Sequence, residues 1–408
     1  MLPAVSDWTA WHTERASSIG ASYDAAKADR VVAFFRLLKH VKGRWGGQPF
    51  ELLPWQEHEI VRPFYGYLEP TSRKRRYRRC FIAVGKKQGK TAMCAGLALY
   101  GLFAEGEPGA EVYSAAADRE QAGLIFQSAA PMVRSQPDLN RASRVLEVQK
   151  RIVFPQSNSF YQVLSAEVET KHGLSPYYVI FDELHAQPNR YLWDVMTQGA
   201  FAAREEPALF VITTAGYDKN SICYEEWNYA RQVAAGIIED PQLLPVIYEL
   251  PEGADWKDEA NWPLANPSLG VTITLEDMRA EYAKAQLLPS NENAFRRLRL
   301  NQWTSVETRF IPMDAWDECD SEPHLFTGRE WFGGVDLSTT TDLTAWVEVA
   351  PDADGFVDVN CHFWLPGFGI EDKERRDHAP YREWARAGYM TLTEGDIVDY
   401  SVVRNHFM

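Results

Sequence analysis

Short apolar runs recur along the first part of the chain, and each stops at small or polar residues. They are "FIAV" at 81–84, "AEVYSAA" at 110–116, "RIVFP" at 151–155, "FYQVLSA" at 160–166, "YYVIFDE" at 177–183 and "ALFVITTAG" at 208–216. Their length and their β-branched and aromatic content predict buried strands. Between them, "TAMCAGLALYGLF" and "DREQAGLIFQSAAPMV" carry helical spacing. Strands alternating with helices predict an α/β domain on a mainly parallel, doubly wound sheet. Upstream, Val31, Val32, Phe35, Leu37 and Leu38 predict a helix within 24–41. Downstream, "LEDMRAEYAKAQ" and "ENAFRRLRLNQWT" predict two more. Residues 251–275 are rich in Pro, Gly, Asn and Trp and read as connecting structure. From 331 to 366 the pattern becomes three strands joined by turns, and "DHAPYREWARAG" then predicts a helix. The chain is expected to divide into residues 1–250, a connecting region 251–315 and a second domain 316–408.

The ends of the apolar runs carry the chemistry. After "FIAV" comes Gly85-Lys86-Lys87-Gln88-Gly89-Lys90-Thr91. A phosphate-binding loop reads G-x-x-x-x-G-K-[ST]. Aligned on Gly89-Lys90-Thr91, its first glycine falls on Val84, and the glycine has slipped to Gly85. The stretch is either a phosphate cradle with a displaced glycine or a lysine-rich turn. In a cradle, backbone N–H groups converge on an anion at a helix N-terminus. Lys90 would then reach the β/γ-phosphates, and the Thr91 hydroxyl would hold Mg²⁺. Lys86 and Lys87 would neutralise charge building on the phosphates. Downstream, Asp182 and Glu183 end a buried run, where an Asp can meet a Mg²⁺ shell and a Glu can polarise water. Thr213, Thr214 and Gly216 end another run, as a strand end able to sense the γ-phosphate does. Gln56, closing "FELLPWQ", has an amide able to read the N6/N7 edge of adenine or to serve as a surface side chain.

Composition narrows the partners. The net charge is -15, so any DNA contact must be local or shared across subunits. The local candidate is "RKRRYRR", with Arg73, Lys74, Arg75, Arg76, Arg78 and Arg79 around Tyr77. Five cysteines without a C-x-x-C pair fit a reducing compartment and argue against a zinc site. No apolar run approaches the roughly 20 residues that span a bilayer. The first residues lack the order of a signal peptide.

Taken in order, these motifs resemble the large terminase subunit of tailed bacteriophages, the ATPase-nuclease that packages DNA into procapsids. The family's phosphate loop has a basic pair, a polar residue and Gly-Lys-[Ser/Thr], matched here by residues 86–91 with Lys86 where Arg is usual. "PFELLPWQ", "VYSAAADREQA", "KHGLSPYYVIFDELHA", "ITTAG", "WPLANPSLG", "FRRLRLNQWT" and "GGVDLSTTTDLTA" are similar to it as well. The resemblance implies a RecA/ASCE-like P-loop ATPase domain followed by an RNase H-like nuclease domain. It implies that Gln56, Gly85, Lys86, Lys87, Gln88, Gly89, Lys90 and Thr91 bind ATP. Thr91 and Asp182 would hold Mg²⁺, Glu183 would be the catalytic carboxylate, and Thr213, Thr214 and Gly216 would couple hydrolysis to movement. An arginine finger is implied too, and Arg119, Arg134, Arg141, Arg144 and Arg151 remain equal candidates, in the same subunit or a neighbouring one.

The resemblance places Asp336 as the first ligand of a nuclease centre with two divalent metals, Mg²⁺ or Mn²⁺, about 4 Å apart. Asp342, in the following turn, is the second candidate. The family normally continues beyond this chain's last residues, and Glu394, Asp396 and Asp399 lie in an apparent loop. The nuclease domain is therefore expected to be partial and weakly active or inactive. The implied partners are double-stranded DNA, a portal protein and a small terminase subunit. The implied setting is a homo-oligomeric ring in the host cytoplasm, at the procapsid portal. Two other readings stand beside the motor: a helicase, because "DELH" resembles a D-E-x-H box, and a nucleotide-binding scaffold without turnover.

Overall fold

Strand residues of the N-terminal part alternate between two apolar faces with period two, the signature of a sheet covered on both sides. In the computed structural model, Cys80 and Ile82 pack into one core and Phe81 and Ala83 into the other; Tyr178 and Ile180 oppose Val179 and Phe181 in the same way. The structure describes residues 14, 19–165, 174–198, 204–304, 316–319 and 326–407, except 341, 354 and 378. It divides into two units, Met1–Phe310 and Ile311–Met408. The boundary expected near residue 315 falls in 305–315, outside the described residues.

In the first unit, β1 (Ser22–Tyr23) and β2 (Tyr67–Leu68) form a small antiparallel pair. The main sheet follows with β3 (Arg79–Ala83), β4 (Glu111–Ala116), β5 (Arg144–Leu146), β6 (Arg151–Phe154), β7 (Ser159–Ser165), β8 (Pro176–Asp182), β9 (Ala208–Thr213) and β10 (Leu243–Ile247). Its spatial order is β10-β3-β9-β8-β4-β7-β6-β5. All neighbours from β10 to β7 run parallel, and β6 and β5 add an antiparallel flank. Helices Ala25–Leu37, Lys90–Phe103 and Arg119–Ser135 cover one face, and Tyr191–Thr197 and Ile222–Ala234 the other.

Residues 251–304 are more than connecting structure. They build their own core from Leu250, Trp262, Ile273, Met278, Ala285, Phe295 and Leu300. The expected single helix over 292–304 ends at Leu298, and an irregular stretch runs on.

Buried Glu59 lies in a π-helical stretch, Gln56–Val61, and hydrogen-bonds to the Tyr248 hydroxyl. Burial pushes its carboxyl from 4.5 up to about 7, against the pull of the Tyr248 hydroxyl. A raised carboxyl favours folding fully below the unfolded value and loses that contribution as pH climbs through the folded one. Between pH 4.5 and 7 this group should weaken the fold by up to about 3 kcal/mol. Glu59→Gln should therefore melt near wild type at pH 4.5 and clearly above it at pH 8, as thermal unfolding at the two values would show.

The second unit is a four-stranded sheet of β11 (Phe332–Asp336), β12 (Thr344–Pro351), β13 (Val357–Pro366) and β14 (Thr391–Thr393), in that order. The pattern's three strands joined by turns are found and run antiparallel, and β14 joins parallel. Helix Tyr400–Phe407 packs Val403 on Trp364 and Val398, and Tyr381, Leu365 and Met390 form a second small cluster. No helix of the described residues is long and apolar enough to cross a membrane.

Candidate active site

The loop 84–89 joins β3 to helix Lys90–Phe103, and its shape explains the slipped glycine. Gly89 caps the helix at φ +81°, a conformation that L side chains rarely adopt. Lys87 takes a similar left-handed conformation, at φ +65°. At Gly85 a Cβ would lie 3.0 Å from the Arg299 carbonyl oxygen and 3.2 Å from that of Leu298. A glycine is needed where this outside backbone presses on the loop.

That backbone belongs to a wall built from 262–304. The Lys86 N–H donates to the Leu298 carbonyl at 2.7 Å. The Gln88 side chain, fully buried, donates to Asn266 Oδ1 at 2.8 Å and accepts from the Ser268 N–H at 2.9 Å. Asn266 in turn donates to the Arg299 carbonyl at 2.8 Å. The Gln88 side-chain amide is thus spent on the wall, where it braces the loop, which leaves its backbone N–H for the cradle. Gln56 is also buried, accepting from the Leu53 N–H at 3.1 Å and approaching the Gln88 and Gly89 carbonyls at 3.4 and 3.5 Å. Lys86 and Lys87 are exposed, and Thr91 sits half-buried in the first helical turn.

β9 lies between β3 and β8, so the ends of all three strands meet. The Lys90 ammonium donates to the Val84 carbonyl at 3.2 Å and stands 3.7 Å from Glu183 Oε1. Asp182 closes β8, and Glu183 follows at φ +49°, a strained conformation for a non-glycine residue that costs about 1–3 kcal/mol. The bend brings the Glu183 carboxylate to Lys90. Burial, then the neighbouring Glu183 charge, push the Asp182 carboxyl up to about 7, with Lys90 pulling the other way. Burial raises Glu183 too, but Lys90 and then His185 outweigh it and hold that carboxyl down at about 2. Adjacent carboxyls driven apart in this way suit divided roles. Carboxylate and hydroxyl oxygens from Asp182 and Thr91 are also the donors a hard divalent cation prefers.

Thr213 and Thr214 are buried, and the Thr213 carbonyl accepts from the Val84 N–H at 3.2 Å. The wall reaches this strand end as well. Asn301 accepts from the Ala215 N–H at 2.8 Å and donates to the Tyr248 carbonyl at 2.6 Å. A Cβ on Gly216 would come 2.9 Å from the Trp303 ring. Sequence reasoning did not select Asn266, Asn301 or His185, although His185 stood in view within "DELH".

The cations of the basic run have partners within the fold. Arg75 is buried, paired with Glu105 at 3.2 Å and bonded to the Tyr178 hydroxyl at 3.2 Å and to the Glu206 carbonyl. Arg73 pairs with Asp24, Lys74 with Glu205, Arg76 with Glu69 and Arg79 with Asp240. Arg78 is half-buried. Arg75 is thereby committed to the core, whereas Arg73 and Lys74 keep partly exposed side chains in surface ion pairs. Of the arginines between the nucleotide motifs, Arg134 pairs with Glu147 and Arg141 with Asp138, and Arg119 reaches the Val148 carbonyl. Arg151 lies over the Phe160 ring, and Arg144 is exposed on β5.

In the second unit Asp336 ends β11, whose five residues are all exposed. The Asp342 carboxylate accepts from the Leu343 N–H at 2.9 Å, closing its own turn. The 394–400 segment is tied to that turn, through Val398 N–H to the Thr339 carbonyl and Tyr400 to the Ser338 carbonyl. Among the described residues no three His, Cys, Asp or Glu side chains gather as a metal site.

A parallel sheet with a phosphate-type loop after one strand, an Asp-Glu pair ending another and a third strand between them defines a P-loop ATPase of the RecA/ASCE type. Comparison carries this further. Residues 54–232 match the terminase large subunit ATPase domain, and residues 237–407 the terminase large subunit endonuclease domain. The second match begins inside the first unit and takes in β10 and the wall. The chain is 35% identical over 384 residues to the terminase large subunit of Enterobacteria phage HK97, covering 92% of this chain and 73% of that protein. It is 32% identical to the crystal structure of the HK97 bacteriophage large terminase, with a TM-score of 0.59 over 93% of this chain and 77% of that one. Protein YmfN of Escherichia coli strain K12 is 28% identical over 242 residues, 57% of this chain and 53% of its own. The chain belongs to the large terminase subunits, the phage DNA-packaging proteins with an ATPase and a nuclease domain. The helicase reading falls with this, because a nuclease match occupies the place of a second motor domain.

Proposed function

We propose that this chain hydrolyses ATP to drive double-stranded DNA into a procapsid. The observation that carries the reading is the meeting of Lys90, Asp182, Glu183 and Thr213 at the ends of three adjacent strands. The loop N–H groups, Lys90 and exposed Lys86 and Lys87 take the phosphates. Thr91 and Asp182 would hold Mg²⁺, which would supply positive charge against the transferring phosphoryl group. Glu183, kept ionised, polarises the attacking water. Gln56 stays near the adenine through its place against the loop. Thr213, Thr214 and Gly216 pass the loss of the γ-phosphate to the wall they touch. The working form is a ring at the portal in the host cytoplasm, fed by a small terminase subunit, with one of the candidate arginines reaching a neighbour's nucleotide. The scaffold reading is disfavoured, since a nucleotide-binding module has no need of a water-activating carboxylate.

The test is phosphate release with and without double-stranded DNA, for the chain and for Lys90→Ala. Mg²⁺-dependent turnover, stimulated by DNA and lost in the variant, is expected. ATP binding that does not need Lys90 would overturn the loop assignment. In the second unit, Asp336 is the proposed first metal ligand of the nuclease centre, while Asp342 serves its turn. Cleavage by this chain should then be weak, and strong plasmid cutting with Mg²⁺ or Mn²⁺ would refute that.

A further inference from the structure

His185 belongs to a short turn, Leu184–Ala186, directly after strained Glu183. Its Nδ1 faces three oxygens: Glu183 Oε2 at 3.2 Å, Thr213 Oγ1 at 3.2 Å and Thr214 Oγ1 at 3.4 Å. Its backbone N–H also donates to Thr213 Oγ1 at 3.2 Å, and Thr213 Oγ1 donates to the Thr214 carbonyl at 2.9 Å. Glu183 Oε2 is buried and has no aligned hydrogen bond, although the imidazole is beside it.

We infer that His185 is a positioning residue that makes the aim of the Glu183 carboxylate depend on the arrangement of Thr213 and Thr214. The inference rests on Glu183 being the catalytic carboxylate. One ring nitrogen carries at most one hydrogen, so its three neighbours compete. With the hydrogen on Nδ1, the imidazole donates to Glu183 or to a threonine oxygen. With Nδ1 bare, the Thr214 hydroxyl donates to it, and the carboxylate meets a lone pair and turns away. Small movements of the β9 end therefore select between a held and a released carboxylate. The β9 end is itself held by the wall, through Asn301 to Ala215 and Thr304 to Gly216. Motion of the wall thus reaches the attacking-water site through one imidazole. Lys90 meets the other carboxylate oxygen, Oε1, at 3.7 Å, while the imidazole faces Oε2, so nucleotide affinity should follow this choice little.

The test uses His185→Ala, His185→Asn and His185→Gln in the full chain, reading ATP affinity, kcat and KM with and without double-stranded DNA. An asparagine amide nitrogen falls where Nδ1 stands, whereas a glutamine amide reaches the Nε2 position. His185→Ala should keep KM for ATP, lose about tenfold or more in kcat, and bring the DNA-stimulated to basal ratio near one. His185→Asn should restore much of kcat, and His185→Gln should not. Equal recovery by both amides, or an unchanged stimulation ratio in all three, would overturn the inference. If His185→Ala fails to fold, the asparagine–glutamine contrast decides. Wild-type chain without Lys90-dependent turnover, even with DNA, would sink the assignment of Glu183 itself, a different failure.

Discussion

Glu183→Gln should bind ATP and turn it over about 10²–10⁴ times more slowly than wild type. The amide matches the carboxylate in shape, so the strained turn and the contact with His185 can survive. What is lost is a negative charge that Lys90 and His185 hold ionised, with the carboxyl at about 2 despite its burial. Asp182 should respond as well. Its carboxyl is pushed up partly by the Glu183 charge, so the variant should ionise it more readily and keep or improve Mg²⁺-dependent nucleotide binding. Single-turnover phosphate release beside titration of ATP affinity separates the two effects. Turnover within a few-fold of wild type would remove Glu183 from the chemistry.

Arg75→Met should destabilise the first unit by about 3–5 kcal/mol, the cost of stripping one partner from a buried ion pair. Arg75 is among aromatic rings, over Phe64, Tyr65 and Tyr178, and its partner Glu105 is already pushed up by burial and pulled back mainly by Arg75. Without the guanidinium, Glu105 must take up a proton or open the core. Adding Glu105→Leu should recover part of the loss, because an apolar pair leaves no uncompensated charge. The salt dependence of DNA binding should not change in either variant, in contrast to a phosphate contact, whose loss flattens that slope. A flattened slope with unaltered melting would return Arg75 to the DNA.

The contrast between these two sites shows what the sequence makes legible. Asp182, Glu183 and Thr213 could be read because each sits where an apolar strand stops, and Lys90 because it opens the helix after such a stop; a parallel sheet brings these ends to one edge. The partners of Arg75 and Gln88 could not be read, for the opposite reason. Their partners, Glu105 and Glu206 for one and Asn266 and Ser268 for the other, are distant in sequence and leave no local pattern. β10 went unrecognised because Pro245 breaks the local rule for a strand. As an outermost strand it pairs only with β3, and there a missing N–H is tolerated. The region 251–275 looked like a connector because turn-forming residues dominate it, yet Trp262 sits in a core of its own and Asn266 and Ser268 bond the loop's Gln88. His185 was visible as a letter in "DELH", but its role lies in a three-way contact that only geometry displays.

The wall around the loop also sets a timetable. Lys86 and Arg299, which meet at the cradle, are 213 residues apart in the chain. At roughly 5–20 residues per second of synthesis, the loop leaves the ribosome roughly 10–40 s before the segment that braces it. β3 waits a shorter interval for its outer neighbour β10, since Arg79 pairs with Leu243. The nascent protein therefore carries its loop residues long before it can hold them in shape. ATP should be captured only once residues near 304 have emerged, so that no half-made subunit can begin to burn it.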